Sequence, residues 1–121
     1  MKRFLLTAFL LIVASFLRQG HSQTFGESSI YLVEDLDLSK VSEPDSILIE
    51  NSLKAYHASE DDTSRVNAIN KIVEESWNDK VWPNYNRWVL EFTQKQVQED
   101  HSDAVALHFK KAMAGATNNI R

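Results

Sequence analysis

The sequence predicts an all-α fold: a small three- or four-helix bundle with an extended N-terminal arm. Three observations carry this. Apolar residues between positions 42 and 115 recur at three- and four-residue steps, the period of a helix face. Ile30–Val33 is the one stretch that reads as a strand, and no second stretch reads as its pairing partner. The chain has 121 residues and no cysteine, so one apolar core must do what disulfides do in many small secreted domains.

Residues 1–22 have the layout of a secretory signal peptide. Met1-Lys2-Arg3 is basic, and Phe4 to Leu17 is almost wholly apolar. Gly20 and Ser22 are the small residues that suit a cut before Gln23. The apolar run has 14 residues, short of the roughly 20 that a membrane-spanning helix needs. Cleavage there leaves 99 residues and removes Lys2, Arg3 and Arg18, so the formal charge moves from -4 to -7. Such an acidic chain repels nucleic acid and anionic membrane surfaces. No later apolar run is long enough to insert in a membrane. The expected location is extracellular, without N-glycosylation, because no Asn-x-Ser/Thr sequon occurs.

Residues 23–41 form an acidic segment, read as an arm that lays Tyr31, Val33, Leu36 or Leu38 onto the helical body. A disordered tail is the alternative, and an arm that orders on a partner is its functional version, with Tyr31 as the candidate contact.

The helical domain is expected over 42–115. Ser42 is a candidate N-cap, Asp45 its capping-box partner, and Pro44 is tolerated in the first turn. Ile49, Leu53 and Tyr56, with Leu48 beside them, carry the first helix to about Ala58. The acidic link Ser59–Thr63 lacks the alternating ligands and central glycine of a calcium loop. Its carboxylates suit the N-terminal end of a helix dipole instead. The second helix runs from Thr63 to about Asp79, with Val66, Ile69, Val73 and Trp77 on one face, widened by Ile72. Lys80–Asn84 is a corner, where Pro83 disfavours helical geometry at Trp82. The third helix covers about Asn84 to Asp100, with Tyr85, Trp88, Val89 and Phe92 as its stripe. Its polar last turns are expected to protrude or fray. The fourth begins after Ser102 as cap, puts Val105, His108, Phe109, Ala112 and Met113 on one face, and stops at Gly115. Residues 116–121 make a polar tail. A continuous third-plus-fourth helix is the alternative, since nothing over 96–106 strictly breaks one.

Catalytic and ligand signatures are not found. There is no cysteine nucleophile and no Gly-x-Ser-x-Gly elbow. Three glycines cannot supply a phosphate-cradling loop. The pairs Glu74/Glu75 and Asp61/Asp62 lie on surface positions, not in an apolar cleft that tunes a carboxyl. His101 and His108 are two helical turns apart, and His57 joins them only by folding. No enzyme, metal or cofactor is therefore expected. The stretch from Trp77 to Trp88 holds all three tryptophans. Trp77, Trp88 and Phe92 are read as shared core, and Trp82, off both stripes, as an exposed partner anchor.

Two function classes fit: a secreted signalling or regulatory protein acting through a receptor, or an extracellular carrier of a small apolar ligand held between helices. The leader MKRFLLTAFLLIVASFLRQGHSQ followed by a cysteine-free, acidic helical body is similar to the insect fat-body-secreted factor type "female-specific independent of transformer". That resemblance implies a haemolymph-borne, hormone-like regulator of feeding. It carries no site residues across.

Overall fold

A computed structural model describes residues 30–120. The expected signal segment, residues 1–22, and the first part of the expected arm lie outside the described residues. The chain divides into two compact units, Met1–Glu34 and Asp35–Arg121. Of the first, Ile30 and Tyr31 have helical geometry, and Leu32 turns into the left-handed region at φ 66°. The second unit is built of helices joined by short links. Among the described residues it contains four α-helices and no strand. They are α1 (Glu43–Ala58), α2 (Asp62–Glu75), α3 (Trp82–Gln96) and α4 (Asp103–Asn118). None of the described helices is long and apolar enough to cross a membrane.

A 3-10 turn, Leu38–Lys40, precedes α1 and is capped by Asp37. Of the expected arm residues, Val33 is buried, Tyr31 and Leu36 are half-buried, and Leu38 is exposed.

Local chemistry starts three of the four helices. The Ser42 hydroxyl accepts from the Asp45 backbone N–H at 3.3 Å and donates to the Asp45 carboxylate at 3.1 Å. Asp61 accepts from the Ser64 N–H at 2.8 Å, and Ser102 from the Val105 N–H at 3.3 Å. Each satisfies a donor that the first turn leaves without an intrahelical acceptor. The Thr63 hydroxyl and then the Ser64 N–H hold the Asp61 carboxyl down to about 2, because both bonds favour its charged form. The acidic link thus serves as a helix start.

Helix α2 is central: it packs against α1, α3 and α4. Val66, Ile69, Ile72 and Val73 line its inner face. Ile49 and Leu53 come from α1, Val81 from the residue before α3, Tyr85 and Val89 from α3 itself, and Phe109 and Ala116 from α4. An aromatic row crosses this core. Tyr56 meets Trp88 edge-on at 5.5 Å, Trp88 stacks on Phe92 at 4.8 Å, and Phe92 meets Phe109 at 6.4 Å.

Four expectations are corrected. Helix α2 ends at Glu75, because Ser76 is extended at ψ 133°. The four-residue step that placed Trp77 on the apolar face therefore stops two residues early, and Trp77 is 94 % exposed. Helix α3 starts at Trp82 with Pro83 inside its first turn, where a missing N–H costs nothing. Its polar end does not protrude: Thr93 and Gln96 are buried, and the helix stops at Gln96. Ser102 then opens α4 as a separate helix, so the two do not merge. Finally, Gly115 lies inside α4, which runs on to Asn118 and buries Ala116.

Candidate functional site

The corner 76–82 is built from short polar residues that bond the nearby backbone. The Ser76 N–H reaches the Ile72 carbonyl at 3.0 Å. The Ser76 hydroxyl accepts from the Asn78 N–H at 3.3 Å, and the Asn78 side-chain oxygen from the Lys80 N–H at 2.9 Å. The Asn78 carbonyl takes both the Val81 and Trp82 N–H groups, at 2.9 and 3.1 Å. The Asn84 amide donates to the Lys80 carbonyl and across to the Asp35 carbonyl, both at 3.1 Å. Ser76 and Val81 are buried on either side. The corner is tied down at both ends while Trp77 stands in water.

An exposed indole on a bonded turn is the most unusual feature of the surface. Ordinary surfaces expose single aliphatic residues freely, as Ile47 and Leu107 do here. A tryptophan buries up to roughly 250 Å² when it docks, and it dominates interface hot spots. Exposed Glu74, Glu75, Asp79 and Lys80 flank Trp77 in the chain.

Trp82, the anchor expected from sequence, is half-buried. Its indole N–H donates to Asp79 at 3.2 Å. With Pro83, Asn86, Arg87, Asn119 and Ile120 it lines an open groove of about 350 Å³. The Asn86 amide donates to the Ala116 carbonyl at 2.9 Å and its oxygen accepts from Asn119 at 3.0 Å. These bonds fix the end of α4 beside the start of α3. Tyr31, the second expected contact, belongs to the first unit and is half-buried.

The histidines are engaged separately. His101 bonds Gln96 at 3.1 Å, and His108 bonds Asn67 at 2.9 Å. His57 sits edge-on to Tyr56 at 5.1 Å. The Gln96 amide also donates to Asp62 at 3.3 Å, and Asp62 accepts from Arg65 at 2.7 Å. If the Gln96 amide donates to Asp62, its oxygen faces His101, which must then carry its proton on Nε2. This chain of bonds ties the α3–α4 link to the start of α2. Among the described residues no group of three or more His, Asp and Glu is gathered to hold a metal ion.

Sequence reasoning missed Trp77, Gln96 and Arg87. For Trp77 the signal was present: Ser76 and Asn78 compete for backbone bonds and stop helices. Gln96 finds its partner 34 residues away, which no local pattern encodes. No family model, curated protein or solved structure matches the chain.

Proposed function

We propose that this is a secreted, non-enzymatic, hormone-like regulatory protein that acts through a receptor, with Trp77 as its anchor. The carrying observation is the 94 % exposure of Trp77 on a corner pinned by its own backbone and side-chain bonds. A preformed anchor loses little conformational freedom on docking, which favours binding. The leader layout, the acidic balance and the resemblance to the fat-body factor support an extracellular, feeding-related role.

The carrier reading keeps one observation in its favour, the groove beside Trp82. Its site would then be at the surface, because Tyr85, Val89, Ile69 and Phe109 fill the space between helices.

The test has two steps. Intact mass of protein from culture medium should match a chain starting near Gln23; retention of the full-length chain in cells counts against secretion. Fluorescently labelled protein is then applied to tissues of the source organism. Saturable surface binding, displaced by unlabelled protein but not by Trp77→Ala, supports the receptor reading. Copurified apolar mass in a native spectrum, with no saturable binding, supports the carrier instead.

A further inference from the structure

We propose that Trp77 of one copy seats in the groove of a second copy, and that two copies exchange this contact reciprocally. The inference goes beyond the receptor reading and does not rest on it.

Knob and groove are present on the same chain and match in chemistry. The knob is an indole left almost wholly in water. The groove offers the Trp82 indole, the Pro83 ring and the Ile120 side chain as apolar walls. Ile120 is itself 59 % exposed, so a wall of the groove is also uncovered. Arg87 adds a guanidinium that makes no ion pair among the described residues. A cation over an indole face and an edge-to-face pair of indoles are both favourable contacts. The volume, about 350 Å³, lies at the small end of sites that accept a compact group.

The groove is preformed. Asp79 holds the Trp82 indole, and Asn86 holds Asn119 and the last turn of α4. Trp77 and Trp82 are five positions apart, so their Cα atoms are at most about 18 Å apart. Knob and groove therefore share one end of the helical unit. When each copy offers both, a two-fold axis lets both contacts form at once. The pair then closes, with no knob left over to recruit a third copy.

Area sets the strength. Two docked indoles and the walls that receive them cover on the order of 600–1,000 Å², below the roughly 1,200 Å² of stable complexes. The dimer is therefore weak and reversible.

Sedimentation velocity of the purified chain, from about 5 to about 500 μM, reads this directly. The wild-type coefficient should rise from monomer toward dimer. Trp77→Ala and Ile120→Asp should each stay monomeric, with unchanged helical circular dichroism. Arg87→Ala should weaken pairing several-fold, and Trp77→Phe should retain part of it. A wild type that is monomeric throughout overturns the proposal, as does a dimer that survives Trp77→Ala. Loss with Trp77→Ala but not with Ile120→Asp or Arg87→Ala overturns the groove as the receiving site. Growth beyond dimer overturns the reciprocal closure. Since tissue binding is measured on dilute labelled protein, either reading can fail while the other stands.

Discussion

Trp77 and Trp88 were equivalent in the sequence and are opposite in the fold. Both sit on apolar steps, yet Trp77 is in water and Trp88 is sandwiched between Tyr56 and Phe92. Trp77→Ala should therefore change stability by no more than about 0.5 kcal/mol, as surface substitutions do. Trp88→Ala should cost about 2–4 kcal/mol, somewhat less than a fully enclosed aromatic because Trp88 is half-buried. Urea unfolding of the two variants side by side checks this, and equal losses would refute the assignment of Trp77 to the surface. Ser52 makes a second residue-level case. It is 3 % exposed, and its hydroxyl has no hydrogen-bond partner among the described residues. A buried unpaired hydroxyl destabilises, so Ser52→Ala should raise stability by about 1 kcal/mol. A loss on that substitution would mean the hydroxyl is satisfied in solution.

Helix starts with a serine cap were legible; the start of α3 and the ends of the last three helices were not. Ser42 and Ser102 cap as read, because a cap acts within three residues. The ends of α2, α3 and α4 answer to distant packing. Gln96 is buried by its bonds to Asp62 and His101, and Ala116 by the core, so neither polarity nor Gly115 marked the true boundary. At Gly115 a Cβ would meet nothing within 4 Å and the backbone is helical. Gly115→Ala should therefore stabilise by about 0.5–1 kcal/mol, raising the melting midpoint by about 2–8 °C. The cap of α2 gives a pH signature. With its carboxyl lowered to about 2, Asp61 contributes stability above the ordinary carboxylate range, and loses it as pH falls from about 4 to about 2. Asp61→Asn keeps a competent cap and should flatten that part of the acid limb in melting scans. An unchanged limb would place the acid sensitivity on other carboxylates.

At the scale of the whole molecule, the all-α class and the single cysteine-free core follow from the periodic apolar faces. The pairing of those faces does not, because every face offers the same aliphatic and aromatic chemistry. The structure resolves it by making α2 the shared support of α1, α3 and α4. Helix α1 rests mainly on α2 and reaches α3 through Tyr56 against Trp88. Amide exchange should therefore be slowest in α2 and measurably faster along α1, since elements with one supporting neighbour open locally. Uniform protection of the two helices would instead mark a single cooperative unit.

The corner also makes the protein a recorder of its own condition, in light. Within a dozen residues, from Trp77 to Trp88, the chain holds one indole in water, one bonded to a carboxylate and one stacked on phenylalanine. The red edge of the emission should belong to Trp77, the indole in water, and should sense what touches the molecule from outside. The remainder, above all Trp88, senses whether the bundle is intact. The difference spectrum between the native chain and Trp77→Phe then separates encounter from unfolding, without a dye and without a tag.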